Sequence, residues 1–256
     1  MGAKYTHTFN DINEVEHVIS LFERGVSHTP TTINCASPGY ELEWQGNGSE
    51  LYENKIYSSR VSIPFIIENS TDETFFTTTL ATSPEETFDI TITKGGSLLW
   101  VGTILSDQIN FDRQSIESKL IIQLSAVDGL SRLENYDFDF ATQSTFQKTG
   151  TDLITEILNV NGLSDYFGSG TYFSDGMIFN NANKSSGAGY EYIKLNKLQF
   201  RKGDVFKMGD DIEPMNCKEA LETLLSGFAA QIFMVDGRYL IRQILPYVNT
   251  NVSFLN

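Results

Sequence analysis

The chain has 256 residues, 40% of them hydrophobic and 20% charged, enough apolar surface to offset the entropy of ordering in one large domain or two ordinary ones. Eighteen Lys and Arg against 33 Asp and Glu give a net charge of −15, which disfavours a protein that holds nucleic acid by neutralising phosphates. Cys35 and Cys217, far apart and without Cys-x-x-Cys spacing, indicate neither a disulfide framework nor a thiolate zinc site, and are expected to be buried reduced thiols.

The acidity is uneven. Residues 1–150 carry 9 basic and 21 acidic groups, a net charge of −12, whereas residues 151–256 carry 9 and 12, a net charge of −3. The first ten residues lack the basic-then-apolar pattern of an export signal, and the best apolar run, Leu98–Leu105, is too short to span a bilayer, so a soluble protein not exported by that route is expected. Met1–Thr6 fits the loose N-myristoylation pattern, which acts only in a host that has the transferase. Four Asn-x-Ser/Thr sequons, at Asn47, Asn69, Asn183 and Asn251, are expected to mark loops.

From Thr31 onward short strands alternate with turn residues, and helix is scarce in the first half. Tyr40–Trp44 alternates Tyr40, Leu42 and Trp44 with Glu41 and Glu43, then runs into Gln45-Gly46-Asn47-Gly48-Ser49, a strand leaving into a turn. Arg60–Glu68 is a second strand, and its Pro64 argues for an edge position because proline cannot donate to a ladder. Across Thr87–Val101, Phe88, Ile90 and Ile92 alternate with Thr87, Asp89, Thr91 and Thr93, Lys94-Gly95-Gly96-Ser97 turns, and Leu98–Leu105 returns, which predicts a hairpin with one buried face. Lys119–Val127 adds a third strand, with Leu120, Ile122, Leu124 and Ala126 on one face and Gln123 and Ser125 on the other, completing a meander.

A domain boundary is expected near residue 140, after the acidic-aromatic stretch Asn135–Phe140. Thr149 and Asp152 stand at capping-box spacing before Leu153, Ile154, Ile157 and Leu158, an apolar stripe at helical spacing that Gly162 ends. Residues 164–189, rich in Gly, Ser, Asn and aromatics, have no helical period and are expected to form a long ordered loop or inserted hairpin. Asn216 with Glu219 caps a second helix carrying Ala220, Leu221, Leu224, Leu225 and Phe228, followed by a hairpin, Gln231–Val235 and Arg238–Ile244, turned at Asp236-Gly237. The last candidate strand, Asn251–Leu255, has no sequential partner, so either the native chain continues or this strand pairs elsewhere. The fold class expected is α+β, mainly β: two β-rich, barrel- or sandwich-like domains, 1–140 and 141–256, with a few helices.

Motifs of chemistry are sparse. Gly46-Asn47-Gly48, Gly168-Ser169-Gly170 and Gly187-Ala188-Gly189 lack the third glycine of a nucleotide fingerprint, and no Gly-Lys-Ser/Thr phosphate loop or Gly-x-Ser-x-Gly elbow occurs. His7, His17 and His28 form no His-Glu-x-x-His or close pair and are expected to be surface or satisfied histidines. Two acidic clusters stand out, Asp137-Phe138-Asp139 and Asp210-Asp211-Ile212-Glu213; either could hold Ca²⁺ or supply a carboxylate pair for glycoside cleavage, yet neither has calcium-loop spacing and both also fit solvated faces. No catalytic, cofactor-binding or metal-binding residue is assigned, and no cofactor is expected.

Three pieces of sequence carry a resemblance. Gly95–Leu105, with Trp100-Val101-Gly102, resembles a strand, Trp-x-Gly, strand hairpin; Ala126-Val127-Asp128-Gly129-Leu130-Ser131-Arg132-Leu133 resembles an Ala-x-Asp-Gly-Leu-x-x-Leu strand exit; Ala220–Phe228 followed by Asp236-Gly237-Arg238-Tyr239 resembles a helix and Asp-Gly-aromatic turn. In this order, over residues 55–245, they are similar to the tail-tip and baseplate hub proteins of phages and prophages, particularly those of Bacteroidetes hosts.

The resemblance implies a structural virion protein of the phage tail, assembled in the bacterial host cytoplasm. Its β-domains build a homo-oligomeric ring, commonly a trimer, that joins the tail tube to the tip. It docks to tube, distal tail and fibre or spike proteins, and it lets DNA pass without stable binding. No catalytic site is implied. The chain departs from longer members by ending at Asn256, which leaves any receptor-binding or wall-cleaving extension open. An acidic conduit would repel phosphate, in keeping with that role. Two other classes stand beside it: a carbohydrate- or receptor-binding β module using Trp44, Trp100 or the Tyr166–Phe179 aromatics as stacking platforms, and a glycosidase using Asp210 with Glu213.

Overall fold

A computed structural model describes residues 2–45, 54–113, 120–138, 147–167, 173–175, 178–180, 192–194, 199–201, 206–207 and 213–243. In chain order the strands are β1 (Tyr5–Asn10), β2 (Glu16–Glu23), β3 (Thr31–Thr32), β4 (Asn34–Cys35), β5 (Glu41–Gln45), β6 (Ile56–Ile67), β7 (Phe88–Lys94), β8 (Ser97–Ile104), β9 (Asn110–Arg113), β10 (Leu120–Val127), β11 (Gln147–Thr149), β12 (Phe173–Asp175), β13 (Ile178–Asn180), β14 (Tyr192–Lys194), β15 (Gln199–Arg201), β16 (Phe206–Lys207), β17 (Glu213–Pro214), β18 (Ala230–Val235) and β19 (Arg238–Gln243). The helices are α1 (Ser70–Thr74), continued by a π-helical stretch, Phe75–Leu80; α2 (Gly150–Asn159); and α3 (Cys217–Gly227), with short 3₁₀ turns at Ser106–Gln108, Gly129–Asn135 and Ser164–Tyr166. The fold is α+β and mainly β.

Among the described residues, thirteen strands share one mixed sheet in the order β12-β19-β18-β6-β10-β8-β7-β2-β1-β3, with β4 and β5 also on β6 and β9 also on β10. The alternation expected for β7 and β10 places Phe88, Ile90, Ile92, Leu120, Ile122, Leu124 and Ala126 in the core. Gly95 and Gly96, both at positive φ, close the β7–β8 turn, and Asp236 and Gly237, both at positive φ, close β18–β19. The sheet is open, but the segment at its β3 end also reaches β6, inside the order: Thr31 N and Ile33 N donate to Lys4 O and Thr6 O of the first hairpin, while Ala36 N donates to Pro64 O of β6. Among the described residues, no continuous ladder closes it into a barrel.

Three expectations change. Pro64 does not lie on an edge strand: β6 pairs with β10 on one side and with β4 and β5 on the other. Its carbonyl and its donor-less nitrogen face the gap where the ladder passes from β4 to β5, at the turn holding the cis Ser37–Pro38 bond, so the missing donor falls where no strand asks for one. The β7 strand is covered on both faces, with Asp89 fully buried and Thr91 nearly so. Asn69 marks a helix rather than a loop: its side chain accepts from Asp72 N and opens α1, after which Phe75, Phe76 and Leu80 enter the core.

Both later helices form as their patterns require. Thr149 caps α2 by accepting from Asp152 N, and Asn216 with Glu219 forms a reciprocal capping box on α3. Their apolar stripes join the strand residues in one core cluster, and each Leu or Ile so buried contributes about 1.5–3 kcal/mol. Helix α3 packs on α2 and against β18, and β18 pairs in parallel with Ile56 and Tyr57 of β6. The ladder and the core therefore run through residues on both sides of position 140. The boundary expected there, the Asn251–Leu255 strand, the sequons at Asn47, Asn183 and Asn251, and most of 164–189 lie outside the described residues. Among the described residues, no helix is long and apolar enough to cross a membrane.

Candidate functional site

The three pieces of sequence that carry the resemblance, distant along the chain, meet at one buried junction. Trp100, on β8, turns its indole inward, and its Nε1 donates to Ser59 Oγ on β6 at 2.8 Å. The Ser59 hydroxyl donates to Asp128 Oδ2 at 2.6 Å, the same oxygen accepts from Ser59 N at 2.7 Å, and Asp128 Oδ1 accepts from Leu130 N and Ser131 N, capping the 3₁₀ turn after β10. The strand exit is thus fixed by a carboxylate no solvent reaches. Burial pushes the Asp128 carboxyl up to about 6 even though its Ser59, Ser131 and Leu130 donors pull the other way.

Two glycines let the backbone close on this junction. A Cβ on Gly102 would stand 2.2 Å from the Trp100 ring and 2.4 Å from Val127 O; one on Gly129 would stand 1.8 Å from Asn161 Nδ2 and 2.8 Å from the Tyr239 hydroxyl. The third piece arrives through Tyr239, fully buried on β19, while Gly237 N in its turn donates to Leu99 O on β8 at 2.8 Å. Trp-x-Gly, Asp-Gly-Leu and Asp-Gly-aromatic therefore interlock. Ser59 and Asp128 are sealed from solvent and have no histidine, so this pair cannot meet a substrate as a nucleophile and base.

A second buried polar cluster binds later residues to the first hairpins. Asp89 accepts from Arg24 Nε at 2.7 Å, Arg24 Nη2 at 2.8 Å, Thr103 Oγ1 at 2.9 Å and the Tyr166 hydroxyl at 3.0 Å. Beside it Arg132 reaches Glu85 at 3.0 Å and Glu86 at 2.9 Å, and the Tyr136 hydroxyl donates to Glu86. The signal in the sequence was a row of polar residues, Thr87, Asp89, Thr91 and Thr93, opposite an apolar row; what it could not show was that Arg24 and Tyr166 cover that face.

The candidate chemical residues do not assemble. Asp137 is exposed, its backbone bridging to Asn216, and Phe138 is buried; Asp139, Asp210, Asp211 and Ile212 lie outside the described residues, as does the Glu213 side chain. Among the described residues no cluster of three His, Cys, Asp or Glu could hold a metal. His7 Nδ1 donates to Ile33 O at 2.9 Å, His17 lies between Asp11 at 3.4 Å and the Tyr40 hydroxyl at 3.1 Å, and His28 contacts Glu23 at 2.9 Å, all satisfied locally. Burial pushes both thiols up to about 12; Cys217 is buried and Cys35 half-buried.

Of the proposed stacking platforms, Trp100 is excluded by burial, whereas Trp44 is 53% exposed. Trp44, Tyr57, Gln231, Phe233 and Val235 line a shallow, mostly apolar groove of about 380 Å³, and a polar cleft of about 320 Å³ opens among Gln45, Lys55, Ser131, Glu134 and Lys218.

No family model and no curated protein matches the chain. Among solved structures it is similar to the 43 kDa tail protein of prophage MuSo2 from Shewanella oneidensis, with 11% identity, a TM-score of 0.44, and 89% of this chain and 55% of that one covered. It is also similar to a tail protein from Neisseria meningitidis (10% identity, TM-score 0.42, 88% and 50% covered) and to prophage tail protein gp18 from Listeria monocytogenes (12%, 0.34, 82% and 45%). The chain spans about half the length of these proteins.

Proposed function

We propose that this is a structural protein of a phage tail, a hub or tail-tip subunit that assembles into a ring between tail tube and tip. One observation carries the reading: the three pieces of sequence that resemble such hub proteins form a single interlocked junction at Trp100, Gly102, Asp128, Gly129, Gly237 and Tyr239. The weight rests on residues of this chain rather than on the low-similarity solved structures.

In this reading the parts before and after residue 140 act together through their common ladder, so that each subunit forms one segment of the ring. Subunits associate as a trimer, dock tube and fibre proteins axially, and present acidic surface to DNA passing through. Assembly takes place in the host cytoplasm, and no catalysis is required. The test is the solution mass of the purified chain by light scattering across concentration: a trimer or hexamer supports the reading, and a monomer that stays single with the tube protein present contradicts it.

Half-exposed Trp44 beside Tyr57 favours a second reading, a carbohydrate- or receptor-binding module. Glycan-array binding by an isolated monomer, lost in Trp44→Ala, would establish it in place of the first.

A further inference from the structure

The β18–β19 hairpin has two faces. Ala230, Ile232, Met234, Tyr239 and Ile241 share the buried face, on which α3 packs against β18. Sheet strands covered on one face are commonly polar on the other, yet there Phe233 stands opposite Leu240 and beside Tyr57, and Val235 stands opposite Arg238. Phe233, Val235, Leu240 and Tyr57 are only partly buried, lie outside the core cluster, and run into the groove under Trp44. Two exposed arginines, Arg238 and Arg242, edge this apolar stripe on the same face, in a chain whose net charge is −15.

The complementary feature sits at the far tip of another hairpin. Ile12, between β1 and β2, is 97% exposed, the most exposed large apolar side chain among the described residues. It is held out by a built turn: Asp11 Oδ1 accepts from Asn13 N at 2.8 Å and Val15 N at 3.0 Å, Asp11 N donates to Val15 O, and Lys94 reaches the Asp11 carboxylate at 3.5 Å. Exposed Glu14 and Glu16 flank it. An apolar knob with acidic shoulders and an apolar groove with basic edges thus belong to two different hairpins of one chain.

We infer that the β1–β2 tip of one copy docks in the Trp44–Phe233 groove of the next, with Ile12 against the apolar stripe and Glu14 and Glu16 toward Arg238 and Arg242. A contact between two different patches is head-to-tail, the kind that builds a ring when its rotation closes. The inference rests on the ring reading and supplies the interface it lacks.

The test is the mass of full-length chain by light scattering across concentration, with thermal melts to verify folding, for wild type, Ile12→Asp, the pair Glu14→Lys and Glu16→Lys, the pair Arg238→Glu and Arg242→Glu, and all four reversals together. Ile12→Asp should weaken association about thirtyfold, from the lost burial of one isoleucine. Each reversed pair should dissociate the assembly, and the fourfold reversal should restore it. An unchanged mass in Ile12→Asp, or a loss that the fourfold reversal does not restore, overturns the inference while the ring reading stands. An Ile12-dependent assembly that is an open chain in electron micrographs supports the interface and counts against the ring. A wild type that stays monomeric, or binds glycans through Trp44, overturns the inference.

Discussion

Asp128 places a carboxylate where water does not reach, and the four donors that satisfy it lower its proton affinity by less than burial raises it. Its folded value of about 6 lies above the unfolded value near 4, so the folded state binds the proton more tightly. The sign follows: below pH 4 the group contributes nothing, stability then falls as pH rises through 4 to 6, and above that the deficit is constant at about 3 kcal/mol. Urea midpoints of wild type and Asp128→Asn, compared between pH 4 and 7, should show this component in the wild type and not in the variant; parallel pH profiles would contradict it. Gly102 gives a second residue-scale test. Gly102→Ala drives a Cβ into the Trp100 ring and the Val127 carbonyl, and should cost about 3 kcal/mol, read as a lowered Tm.

Local pattern made much of the element scale legible, because alternation and capping are properties of neighbours in sequence. The β7–β8 hairpin, β10, both capped helices and the Asp236-Gly237 hairpin follow from residues within a few positions of one another. Asn216→Ala, which removes the α3 cap, should accordingly cost about 1 kcal/mol by denaturant melt. What stayed hidden depends on distant partners. Pro64 signalled an edge because the sequence could not show that its missing donor faces the gap between β4 and β5. Asp89 looked solvent-facing because its cover, Arg24 and Tyr166, comes from far along the chain. Asp89→Asn removes the buried carboxylate that accepts from Arg24, leaving that cation only the more distant Glu86 at 3.7 Å, and should cost about 3 kcal/mol, again read as Tm. The motif residues of the junction were individually visible as turns and a core aromatic; their meeting was not, since it needs the sheet order that brings β18 and β19 onto β6.

For the whole molecule, charge and shape bear on the same role. With a net charge of −15, the chain should not retain duplex DNA even at low salt, where phosphate contacts are strongest; a gel-shift at low ionic strength should show free DNA at all protein concentrations. The interlocked junction and the Asp89 cluster tie residues from both halves of the chain into one fold. The most direct measurement is the projection of the purified assembly by negative-stain electron microscopy. The account predicts closed rings of three- or six-fold symmetry with a central hole wide enough for duplex DNA; compact single particles without a hole, at concentrations where light scattering finds no larger species even with the tube protein present, would contradict it.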